Sequence, residues 1–184
     1  PSRSGTTHLT VETILQGEGW EKGWETLLRM SGNSAALTDR SFGVPDGVNN
    51  GQFGAGPVID FFGLSSKYSN FPVEFVYPDE TAIVPANIGL IAGAANTEEG
   101  KKFIEFSLSK EGQELLLAPQ ISRLPVLPYE QLDNVPENYP NPLEIVERSK
   151  VNFDVDLYQQ RYYIVQTLFD QTINFRHKEL QADS

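Results

Sequence analysis

Leu9, Val11, Ile14 and Leu15 recur at helical spacing behind a polar turn, Ser2-Arg3-Ser4-Gly5-Thr6-Thr7, and Gly17 and Gly19 close the helix they predict. A second helix is expected over residues 19–30, with Trp20, Trp24, Leu27 and Leu28 on one face and Gly32-Asn33 at its end. The stretch from Ser41 to Gly47 leads into a short helix that stops near Gly51. Three segments have strand character: residues 54–60, residues 71–77 with their Phe, Val and Tyr beside Pro72 and Pro78, and residues 87–92. Thr97 is the expected N-cap of a helix running to Leu108, with Glu98 and Glu99 placed where a helix N-terminus favours negative charge. Ser109 is expected to cap the next helix, which carries Leu115, Leu116 and Leu117 before Pro119. Residues 125–142 are rich in Pro, Asn and acidic side chains and predict an irregular connection. A last helix over residues 156–180 carries Leu157, Ile164, Val165, Leu168, Phe169 and Ile173. Strands alternating with helices predict an α/β fold.

Composition narrows what such a chain can bind. Its 184 residues suffice for one domain or two small lobes, and 39% are hydrophobic, enough for a core. The formal net charge of −11 leaves no excess of Lys and Arg to displace counterions, so neither nucleic acid nor an anionic membrane surface is an expected partner. An anionic ligand would have to be held by local dipoles and a few cations. The absence of cysteine removes disulfides, thiolate metal sites and thiol nucleophiles together. His8 and His177 are the only histidines, so no zinc site is expected, and no cofactor. The longest apolar run, over residues 82–95, is interrupted by Pro85, Asn87, Gly89 and Gly93 and falls short of the ~20 residues that span a bilayer. The chain opens on Pro1 inside what reads as a strand-to-helix turn, so it is expected to be a piece of something longer.

The turn Arg3-Ser4-Gly5-Thr6-Thr7 is the leading candidate for chemistry. A helix N-terminus presents unpaired N–H groups and partial positive charge, Gly5 permits close approach, and the Ser4, Thr6 and Thr7 hydroxyls add donors. Such a turn suits phosphate or carboxylate; the alternative is that Ser4 or Thr6 merely caps its own helix. Ser41, beside Arg40, stands at another loop-to-helix junction, where a cation would help an anion or simply be solvated. Asp60 either receives a ligand amine or hydroxyl or caps the helix that follows. Ser4 as a nucleophile would make the protein a serine hydrolase, but His8 lies one helical turn along the same helix and no nucleophile elbow is present. No enzyme activity is expected.

Several phrases, in order, resemble the bacterial ABC-transporter solute-binding proteins of the ferric-iron and organophosphate group. Ser4-Gly5-Thr6 opening a helix is similar to that family's entry into its second lobe. Gly19-Trp20-Glu21-Lys22-Gly23-Trp24 and Val48-Asn49-Asn50-Gly51-Gln52 resemble two of its signatures, with Gln52 in the usual Glu place. Residues 98–106, followed by Ser109-Lys110-Glu111-Gly112-Gln113, resemble its helix pair, with Gly100 in place of the usual Ala, and Arg123-Leu124-Pro125-Val126 resembles its tail motif. Arg161-Tyr162-Tyr163 and Phe169-Asp170-Gln171 look closer to one subgroup, the phosphoglycerate transport regulatory protein and its relatives.

The resemblance implies the C-terminal half of a periplasmic-binding-protein type II fold. On that footing residues 1–86 are the second ligand-binding lobe and 87–128 a return segment belonging to the first. Residues 129–184 form an irregular connection and C-terminal helices that dock back. The implied function is capture of a small phosphorylated or carboxylated solute on the periplasmic or extracellular face. The solute would pass to the membrane permease of an ABC transporter or be presented to a sensor kinase. Tyr77 and Glu80 would lie near the crossing between lobes. Iron-binding relatives carry a tyrosine pair where this chain has Phe61-Phe62, which cannot ligate ferric ion, so the implied ligand is an organic anion. The surface left by the missing half implies association with another piece or another copy.

Overall fold

The computed structural model describes residues 1–183; Ser184, the last residue of the expected 129–184 segment, lies outside them. The helices among them are α1 (Gly5–Glu18), α2 (Trp20–Gly32), α3 (Gly43–Asn49), α4 (Asp60–Tyr68), α5 (Thr97–Leu108), α6 (Lys110–Leu115), α7 (Pro142–Arg148), α8 (Val155–Phe169) and α9 (His177–Ala182). A 3-10 turn (Tyr129–Gln131) precedes α7, and a π-helical turn (Asp170–Asn174) joins α8 to α9.

Ser4 sets where α1 begins: its backbone is extended and its Oγ accepts the Thr7 N–H at 3.2 Å. Gly19, with φ of 88°, makes the corner into α2, a conformation that a side chain would strain. The two helices then pack closely, because a Cβ on Gly23 would come within 2.9 Å of the Leu15 Cα. Val11, Leu15, Leu27, Val165, Phe169 and Ile173 form the main core, drawn from α1, α2, α8 and the π-turn, with Leu180 of α9 against its edge. A second, smaller core of Leu117, Leu132 and Tyr139 lies under the irregular region, with Tyr68 of α4 packed on it.

The expected α/β architecture is overturned: no strand or sheet forms among the described residues. Residues 54–59, 71–77 and 87–91 run without ladder hydrogen bonds. A strand is stable only when a neighbour takes up its N–H and C=O groups. Pro57, Pro72, Pro78 and Pro85 lack that N–H. No described segment pairs with these stretches, and Val76 and Ile91 are 78% and 81% exposed. β-Propensity here reports apolar surface rather than a sheet.

The helical expectations fared differently by position. Ser109 caps α6, its Oγ accepting the Gly112 N–H at 3.1 Å. Asn96, not Thr97, is the cap residue of α5, and the Thr97 hydroxyl donates back to the Ala94 carbonyl at 3.0 Å. The single last helix is instead broken by the π-turn, where Phe175 N–H reaches the Asp170 carbonyl at 2.9 Å. α7 forms where no helix is expected from the sequence, with Asn141 accepting the Leu143 N–H and Pro142 in the first turn.

α8 is fastened to α1 by a buried ion pair. Glu12 is fully buried, and its Oε1 receives Arg161 Nε at 2.8 Å and Gln16 Nε2 at 2.8 Å. Arg161 Nη2 lies 2.6 Å from the same oxygen, in charge contact though not aligned as a hydrogen bond. One turn earlier, His8 is fully buried, stacked 4.0 Å from the Tyr162 ring, with Nε2 3.0 Å from the Tyr162 carbonyl. Burial holds the imidazole below its ordinary pKa, against the opposing pull of that carbonyl and of Glu12.

A depressed imidazole pKa means that the unfolded chain takes up the proton first. The stability His8 confers is therefore whole above about pH 6.5 and is lost as pH falls through the lower, folded value. Urea unfolding from pH 8 to pH 5 should show a drop that His8→Phe removes; equal pH profiles would contradict this. Arg161→Leu, which strands the buried Glu12 carboxylate, should lower unfolding free energy by about 3 kcal/mol at pH 7.

Candidate functional site

The N-terminus of α1 opens on a cavity of about 170 Å³. Arg3, Ser4, Thr6 and Thr7 form one side, and Thr38, Asp39 and Ser41 of the following loop stand opposite. The loop is held there by Arg40, whose guanidinium donates to the Arg3 carbonyl at 3.0 Å, and by an exposed Arg3–Asp39 pair at 3.4 Å. Five residues singled out from sequence thus share one cavity. Gly5 adds no lining surface but carries a first-turn N–H at the same end. Ser4 does serve as a cap, which occupies the Thr7 N–H. Gly5 and Thr6, with no carbonyl four residues back inside the helix, keep theirs for another acceptor.

Two contributors were not legible beforehand. Asp170 and Asn174, from the π-turn, close the far side of this cavity, and Asp170 Oδ1 accepts the Ser2 hydroxyl at 3.2 Å and the Asn174 amide at 3.3 Å. Only the π-turn puts them there, and no local signal in the sequence announces it. Ser31 and Ser34, at the end of α2, add hydroxyl-bearing residues to the wall. The result is a pocket with a helix dipole and carboxylates at its polar end and Leu27, Leu37, Val58 and Phe169 among its apolar walls. It can accept an anionic group and, beside it, a hydroxyl or amine.

Asp60 and Tyr77 lie elsewhere, on a wide trough of about 1430 Å³ lined by the unpaired segments together with residues of α1, α3, α4, α5 and α6 and of the 123–130 stretch. The Tyr77 hydroxyl donates to Asp60 Oδ2 at 3.0 Å, while Asp60 Oδ1 accepts the Phe61 N–H at 2.8 Å. Burial, followed by the Asp60 charge, pushes the Tyr77 phenol far above its ordinary pKa, so it remains a donor. Glu80 lines the same trough. Thr6, Thr10, Val44 and residues 57–59 border both cavities, which therefore share a wall.

Ser4 and His8 do not work together, since the imidazole is turned into the α1–α8 contact. Among the described residues no three His, Asp or Glu side chains gather closely enough to hold a metal ion. No helix of the described residues is long and apolar enough to cross a membrane.

Comparison with known proteins agrees with the resemblance of the motifs. A family model described as bacterial extracellular solute-binding protein matches residues 1–150. The phosphoglycerate transport regulatory protein of Salmonella typhimurium is 35% identical over 182 residues, covering 98% of this chain and 44% of that protein. Its counterpart in Salmonella typhi gives the same figures. An uncharacterised protein of Haemophilus influenzae is 26% identical over 162 residues, covering 86% of this chain and 44% of its own length. The chain thus spans less than half the length of the curated relatives it matches. No solved structure matches.

Because Ser4 both caps α1 and lines the cavity, its two roles can be separated. Ser4→Ala should lower stability by about 1 kcal/mol, whereas Ser4→Asp should keep the cap and leave the melting temperature close to that of the parent. Equal melting of all three proteins would show that the cap contributes nothing.

Proposed function

The chain belongs to the bacterial extracellular solute-binding proteins, and from that premise we propose that it captures a small anionic solute outside the cytoplasm. The solute is a phosphorylated or carboxylated organic compound, and the protein delivers or displays it to a membrane partner. The observation that carries this reading is the pocket at the α1 N-terminus. There Arg3, Ser4, Thr6, Thr7 and Ser41 line about 170 Å³ at the helix end that carries the unclaimed first-turn N–H groups. Against a net charge of −11, an anion needs such a site, because the molecule as a whole repels it. The helix dipole and oriented N–H groups supply the attraction locally.

The carboxylates Asp39 and Asp170 also line this pocket and can accept hydrogen bonds. They favour a ligand that places a hydroxyl or amine beside its anionic group. A three-carbon phosphorylated hydroxy acid has that form, in keeping with the printed name of the Salmonella relatives. That name also favours a regulatory role, in which the loaded protein is presented to a sensor kinase. The second reading is delivery to the permease of an ABC transporter.

The test is calorimetric titration and thermal shift of the chain with 3-phosphoglycerate and with inorganic phosphate. At a hundredfold excess over Kd the bound state should gain about 2.7 kcal/mol. Gly5→Pro removes a first-turn N–H at a position where a Cβ meets nothing within 4 Å and where proline suits a helix start. It should weaken binding about tenfold without lowering the melting temperature, and Ser4→Asp should abolish binding by placing a charge in the site. Undiminished affinity in both variants would rule the α1 pocket out.

A further inference from the structure

Arg123 stands exposed at the trough. Its backbone is fixed on both sides, the N–H donating to the Leu116 carbonyl at 2.9 Å and its own carbonyl accepting the Tyr139 hydroxyl at 3.1 Å. Its guanidinium lies 3.8 Å above the centroid of the Phe61 ring, at the start of α4. Most other arginines of the described residues are taken: Arg3, Arg29, Arg161 and Arg176 pair with carboxylates, and Arg40 with a carbonyl. Arg123 pairs with no described carboxylate and is the only cation among the residues lining the trough.

We propose that Arg123 is an anion-binding residue that receives the carboxylate of an organic acid whose apolar body lies in the trough. Stacking on Phe61 holds the guanidinium plane and leaves its N–H edge free, the edge that meets a carboxylate through two parallel hydrogen bonds. The body of the ligand has apolar surface to cover on Val58, Ile59, Phe75, Val84, Phe103 and Phe106. Asp60, Glu74, Glu80 and Glu130 also line the trough, and Glu74 is already paired with Lys67. One guanidinium among these carboxylates suits a monoanion and works against phosphate. The site lies across a shared wall from the α1 pocket and is argued from Arg123 and Phe61, which line the trough alone, so it does not rest on the function proposed there.

Titration of the full chain with benzoate, benzamide and inorganic phosphate tests this. Benzoate should bind, while benzamide, which keeps the ring and loses the charge, should bind at least tenfold more weakly, and phosphate should leave this site empty. Arg123→Ala should weaken benzoate at least tenfold, and Arg123→Lys, which keeps the charge without the flat fork, several-fold. Both should melt with the parent protein, since the bonds to Leu116 and Tyr139 are made by the backbone. Phe61→Leu should also weaken benzoate, with Arg123 still present. Gly5→Pro should leave benzoate binding unchanged, which keeps failure here distinct from failure of the α1 pocket. Equal affinity for benzoate in Arg123→Ala and parent, equal affinity for benzoate and benzamide, or no benzoate binding to the parent would each overturn the proposal.

Discussion

Glu12 is a carboxylate with no exposed surface, and much of the molecule is arranged around keeping it tolerable. A buried ion is costly unless an opposite charge and hydrogen bonds replace its water. Arg161 supplies the charge from 149 residues away, and Gln16 supplies a further donor. Gln16 also accepts the Asp154 N–H at 2.6 Å and donates to the Asp154 carbonyl at 3.0 Å, so it anchors the residue that caps α8. One charge on α1 therefore governs both the start and the docking of α8. Once α8 is placed, Val165, Phe169 and Ile173 complete the core that Val11, Leu15 and Leu27 begin.

The α1 pocket inherits its geometry from that contact. Its near wall is the capped end of α1, and its far wall is the π-turn that ends α8. A shift of α8 along α1 would carry Asp170 and Asn174 away from Ser4 and Thr7. The buried pair thus fixes a register between two chain segments as well as contributing energy, a role in which buried charges are best attested.

How much of this could be read from sequence depended on how local each cause was. Ser4, Gly19 and Ser109 act within one turn of themselves, and the helices they delimit were legible. The gathering of Arg3, Ser4, Thr6, Thr7 and Ser41 around one cavity was legible as a set of candidates. The placement of Asp60 and Tyr77 on a different cavity was not, because it depends on how α4 and residues 72–78 lie against the second core. The three strand expectations failed for a related reason. Alternation and β-branching describe a surface that wants covering, and only a partner segment turns such a surface into a sheet. The Phe61-Phe62 pair shows the same limit: sequence indicated that it could not ligate a metal, but not that one ring would carry a guanidinium.

The π-turn has a further consequence. A π-turn accommodates one residue more than an α-helix of the same rise, so everything after Phe169 is rotated relative to a continued α8. Deleting one residue between 170 and 174 would let the helix run straight. It would swing the following side chains through roughly a quarter turn about the axis, taking Asn174 off the pocket wall while Val165 and Phe169 stayed in place. The length of this five-residue stretch therefore decides whether Asn174 stands on the pocket wall, without a single substitution in the wall opposite.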